Sequence, residues 1–132
     1  MTEEEKALLI EIDNLHTELI EEPSGKWNGR YMQEPSGYNY CRNAEKLKDK
    51  VFELYNKFEP DYLTQHEIGA LAHTCDKEVS HVEYHYDLSR KNNVAKKRHT
   101  EFIDSISKAN QQIRLDIFSV FAKIEEVKKS EK

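Results

Sequence analysis

The chain has 132 residues, 37% hydrophobic and 34% charged, with a net charge of -5. That length suits one compact domain that buries a core without disulfide or metal staples. Thirteen aromatics, counted as one Trp, seven Tyr and five Phe, argue against wholesale disorder. No run approaches the ~20 consecutive apolar residues of a membrane span.

The chain opens on MTEEEKALLIEIDNL, an acidic start unlike the basic region of a signal peptide, so the expected location is the cytoplasm. Cys41 and Cys75 are too few for a disulfide framework and are expected to be small apolar residues in a reducing compartment. Charge is unevenly spread. Residues 1–22 hold eight acids and one lysine, whereas residues 88–100 hold five bases and no acid.

Apolar spacing predicts four helices, near residues 2–21, 40–58, 62–90 and 95–128. The first opens with Thr2 and Glu5 in a capping-box spacing, followed by the stripe Leu8, Ile12, Leu15 and Leu19. Residues 22–39 then hold three of the four glycines and two of the three prolines. Glu-Pro-Ser-Gly occurs there twice, in the preference pattern of a type I turn, around an Asn28-Gly29 hairpin signal. Three turn signals so close together predict an ordered insert, unlike a Gly/Ser coil. Trp27, Tyr31 and Tyr38 beside Lys26 and Arg30 are the residue types enriched at binding hot spots, so this insert is a candidate recognition surface. The competing expectation is that these aromatics fold down as a lid on the helices.

The second helix carries Tyr40, Ala44, Leu47, Val51, Leu54 and Phe58, and Glu59-Pro60 ends it because a residue before proline is pushed out of helical geometry. The third starts near Asp61 or at a second capping box, Thr64 with Glu67, and its stripe runs through Leu71, Cys75, Val79 and Val82. The fourth shows a three-four repeat through Ile103, Ile106, Asn110, Ile113, Ile117 and Val120, a coiled-coil seam.

Stripes three and four would lie on nearly opposite faces of one continuous helix. A break at the asparagines 92–93 folds the pair into a hairpin instead. A fourth helix of about 34 residues is roughly 50 Å long and is expected to overhang so small a globule. It also carries a second apolar line at Leu115, Phe118 and Ala122. A helix apolar on two sides is central in a bundle or shared between chains, and a lone Asn110 in an isoleucine seam is a register-setting device when paired. Self-association through this helix follows as an expectation.

Chemistry is thinly signalled. His66-Glu67 starts a zinc-protease motif, but Ala70 stands where the second histidine is needed. Glu78, His81 and His85 share one helix flank and are weak metal candidates, because di-iron bundles need the same pattern on a second helix. A cysteine inside an apolar stripe is no nucleophile, and no phosphate-binding glycine loop is present. The basic cluster Arg90, Lys91, Lys96, Lys97 and Arg98 lies at the third helical junction. Its bases at the start of the fourth helix oppose the helix dipole, so they sit in a plain solvated turn, meet an acidic protein surface, or bind an anionic ligand.

The combined expectation is an all-α, antiparallel, four-helix bundle-like protein without a cofactor or catalytic centre. It would bind another protein or a second copy of itself. The alternatives are a binder of phosphorylated ligands or nucleic acid at residues 90–99, and a metal-dependent helical enzyme.

Overall fold

A computed structural model describes the backbone of residues 1–21, 37–91 and 95–130, and the residues it describes fold into five helices without a strand. These are α1 (Glu3–Glu21), α2 (Gly37–Phe58), α3 (Gln65–Lys91), α4 (Ala95–Asp116) and α5 (Phe118–Ser130). The all-α reading holds.

The α1 cap forms on its threonine side, and the α3 capping box forms in full. The Glu5 amide donates to Thr2 Oγ1 at 3.1 Å, and three glutamates fill the first turn of α1 where the helix dipole favours them. At α3 the exchange is reciprocal: the Glu67 amide donates to Thr64 Oγ1 at 3.2 Å and the Thr64 amide to Glu67 Oε1 at 3.0 Å. That cap places the start of α3 at Gln65, the later of the two expected sites. Between α2 and α3, Glu59 adopts a left-handed φ of 43°, and its amide donates to the Tyr55 carbonyl at 3.0 Å. This is the αL end that glycine usually supplies. Leu63 then turns into the core from the connection.

The expected fourth helix is divided at Ile117. Val120 N–H donates to the Ile117 carbonyl at 3.0 Å, a three-residue turn that tightens the helix between α4 and α5. Burial continues in phase through it: Ile106, Ile113, Ile117, Val120, Ile124 and Val127 are all buried. Phe102 takes the core position ahead of Ile106, while Ile103 lies half-buried at the edge.

Helix α1 corrects its predicted stripe. Leu9 and His16 are buried, and Leu15 is only partly so. Spacing alone does not separate Leu15 from His16, since either completes a four-three repeat between Ile12 and Leu19.

The helices pack pairwise in chain order, and α1 also packs on α4 and α5. Cross-links fix the directions. Lys57 pairs with Glu4 and Lys50 with Glu11, so α2 runs against α1. Helices α3 and α4 form the expected hairpin: Tyr86 meets Phe102 at 5.5 Å between centroids, Glu78 meets Lys108 at 3.7 Å, and Thr74 donates to Asp116. Ser119 donates to Glu67 across α3 and α5. Lys128 reaches Asp13, and Phe121 packs at a tilt against His16, so α5 lies along α1 and the predicted overhang is taken up by the chain itself. No described helix is long and apolar enough to cross a membrane.

Candidate functional site

The isoleucine seam faces inward. Ile106, Ile113, Ile117 and Val120 are fully buried within the single chain. Each such side chain contributes about 1.5–3 kcal/mol by leaving water.

Asn110, 8% exposed, has its partners inside the same chain. Tyr40 OH donates to its Oδ1 at 2.6 Å, and its Nδ2 donates to the Leu19 carbonyl at 3.2 Å. Leu19 lies in the last turn of α1, where carbonyls lack intrahelical donors, and Tyr40 lies in the first turns of α2. One side chain of α4 thus ties down the helix ends on both sides of residues 22–36. Sequence reasoning placed Tyr40 and Asn110 on separate apolar stripes and missed their meeting. The available signal was a polar residue inside an isoleucine row, which requires a partner.

Beside this tie, His16 is 2% exposed, and its ring lies 4.6 Å from that of Phe121. Burial holds its pKa below the usual value, helped by the Arg114 charge. A hydrogen bond with the Asn110 backbone and the charge of Asp13 pull the other way. Its Nε2 has no hydrogen-bond partner among the described residues. Arg114 stacks over the far ring, 4.7 Å from the Phe121 centroid. At the opposite end of α1, Tyr62 OH donates to Glu5 Oε1 at 2.6 Å and Lys123 sits over the Tyr62 ring. Burial first and then Glu5 push the Tyr62 phenol upward.

The other predicted groups are placed as follows. Lys26, Trp27, Arg30 and Tyr31 lie outside the described residues, as does the side chain of Tyr38 in the first turn of α2. The side chains of Arg90, Lys91 and Lys96 are likewise outside that description, although their backbones are helical. Lys97 is exposed in the first turns of α4, and Arg98 is half-buried and paired with Glu101 at 3.3 Å. Glu101 therefore supplies one compensating acid for bases at the wrong end of a helix dipole.

Glu78 is held by Lys108, and the rings of His81 and His85 stand edge to face at 5.7 Å. Among the described residues no group of three His, Cys, Asp or Glu side chains is arranged to hold a metal ion. Cys75 is buried, and desolvation, with Glu45 nearby, pushes its thiol up to about 12. At neutral pH it is a protonated apolar side chain, as its place in the stripe implies.

Among the described residues Met1, Ile20, Tyr84, Leu115 and Phe118 are the exposed large hydrophobic side chains, and the last two share the outer side of α4 and α5. Leu115 is 67% exposed and Phe118 is 61% exposed, with Ala122 exposed one turn further on. These are the residues of the second apolar line, and they straddle the Ile117 turn with their faces aligned. Burying such side chains is favourable, and leaving them in water on a charged helix is the unusual arrangement. No family of proteins, no curated protein and no solved structure matches this chain.

Proposed function

We propose that the chain is a small non-catalytic binding protein that acts through protein–protein contact and self-associates through the outer face of α4 and α5. The observation that carries this reading is the exposure of Leu115 and Phe118 on helices whose opposite side is already occupied by their own core. In this reading the chain is an antiparallel four-helix bundle, with α4 and α5 acting as one arm, and it works in the cytoplasm. The predicted coiled-coil seam moves from contact surface to core, and the contact role passes to the second line. The turn-rich segment 22–39, with Lys26, Trp27, Arg30, Tyr31 and Tyr38, is the second surface offered to partners in this reading.

Binding of a phosphorylated ligand at residues 90–99 draws less support, because Arg98 already has Glu101 as its counter-charge. A metal enzyme draws less still, because Lys108 engages Glu78.

Light scattering over a concentration series tests the proposal. The expected result is a mass that rises toward a dimer at about 100 µM, as suits a small apolar contact. The Leu115→Asp/Phe118→Asp variant should stay monomeric with unchanged helix content. A wild-type mass that stays monomeric throughout rules the reading out.

A further inference from the structure

The exposed residues around Leu115 and Phe118 form a longer pattern. Starting at Asp104, one exposed position recurs every four and then every three residues up to Lys129. At 100° per residue this row stays within about 100° of arc on the outer side of α4 and α5. Its members on either side of the point between residues 116 and 117 fall at equal distances, and three of the four pairs are complementary. Leu115 mirrors Phe118 as an apolar pair, whereas Gln111 opposite Ala122 is neutral and unmatched. Further out the charges oppose: Lys108 mirrors Glu125, and Asp104 mirrors Lys129.

From this mirror relation we infer that the occupant of the outer face is a second copy of the same chain, laid antiparallel about a twofold axis through the α4–α5 junction. A twofold contact is isologous, so residue i of one copy meets residue j of the other and the reverse. Every pair above is then formed twice. The two apolar pairs lie at the centre, and the four opposite-charge pairs lie at the ends, over about 38 Å of helix.

Parallel pairing of the same row places Asp104 on Asp104, Lys108 on Lys108, Glu125 on Glu125 and Lys129 on Lys129. Like charges at flanking positions of paired helices select against that arrangement. The charges are also free to serve. Among the described residues Asp104, Glu125 and Lys129 have no ion pair, and Lys108 remains mostly exposed despite reaching Glu78. The apolar centre is short, which makes this an association of the weak class.

The inference rests on the self-association reading and adds orientation and register to it. Charge reversal separates the two. Lys108→Glu or Glu125→Lys alone turns two attractive contacts per dimer into repulsive ones, and the expected result is dimerisation about tenfold weaker by sedimentation equilibrium. Lys108→Glu with Glu125→Lys restores both contacts and should recover wild-type affinity within about twofold. The pair Asp104→Lys and Lys129→Asp repeats the test at side chains with no ion pair among the described residues, which removes the effect of disturbing Glu78. Circular dichroism confirms that each variant keeps its helices.

A wild-type chain that never dimerises overturns both the reading and the inference. A dimer lost in Leu115→Asp/Phe118→Asp but insensitive to the single reversals, or not rescued by the doubles, overturns the antiparallel register alone.

Discussion

The inner row of α4 and α5, with Ile106, Ile113, Ile117 and Ile124, and the outer row, with Leu115, Phe118 and Ala122, share the same helices. Both show the three-four spacing that marks a packed helix face. The inner row is covered by α1 and α3 of its own chain, and the outer row is covered by nothing among the described residues. Periodicity therefore reports that a face needs covering and is silent about which chain covers it. What separates the rows is the company they keep. The inner row has aliphatic neighbours and a hydrogen-bonded asparagine, whereas the outer row is short and flanked by charges of both signs.

The contrast can be broken most forcefully by truncation. Ile113→Ala should cost about 2–5 kcal/mol, since Ile113 is fully buried and the cavity cannot collapse freely. Leu115→Ala, two residues away, should change stability by less than about 0.5 kcal/mol in dilute protein. Urea denaturation of the two variants side by side decides it, and comparable losses would erase the distinction between the rows.

The polar member of the inner row gives the next largest effect. Asn110→Ala removes the acceptor of the Tyr40 hydroxyl bond and the side-chain donor to the Leu19 carbonyl, at about 1–3 kcal/mol. Removing both ends together, as Tyr40→Phe with Asn110→Leu, should cost less than the sum of the single changes. A simple sum would mean that the two side chains are not coupled.

A smaller loss, about 1 kcal/mol, is expected for Thr64→Ala, which removes the side-chain acceptor of the Glu67 amide at the start of α3. Thermal melting monitored by circular dichroism reads it directly, with Leu115→Ala as the neutral reference.

Last is a pH effect at the inner edge. His16 is buried with its pKa below the ordinary 6.5, so the unfolded chain takes up the proton first. Its contribution is fully present above pH 6.5 and is lost as pH falls from there through the folded value. The wild type should therefore lose stability between about pH 7.5 and 5.5, and His16→Leu should lose less over the same interval. Parallel behaviour of the two proteins would place the sensitivity elsewhere.

Much of this architecture is legible in the sequence because it is local. The stripes of α2 and α3 need only the helical period, both helix caps need only a three-residue spacing, and the hairpin follows from the phase mismatch between Cys75 and Ile117. What escapes is long-range or finely balanced. The Tyr40–Asn110 bond joins positions 70 residues apart, and no local spacing encodes it. The choice of His16 over Leu15 for the core depends on Phe121 arriving from the far end of the chain. The turn at Ile117 interrupts no apolar repeat, so the pattern runs through it unchanged. Of the candidate site, the sequence names Leu115, Phe118 and Ala122 as a second line. Only burial tells which of the two lines is left outside.

Hydroxyl-radical footprinting at two protein concentrations, read residue by residue by mass spectrometry, tests the two-row account most directly. In dilute protein Leu115 and Phe118 should be oxidised readily while Ile113 and Ile117 stay protected. At about 200 µM, where the proposed weak dimer should be populated, Leu115 and Phe118 should become protected as well. Reactive Ile113 and Ile117 in the dilute sample, or protection of Leu115 and Phe118 that does not change with concentration, would contradict it.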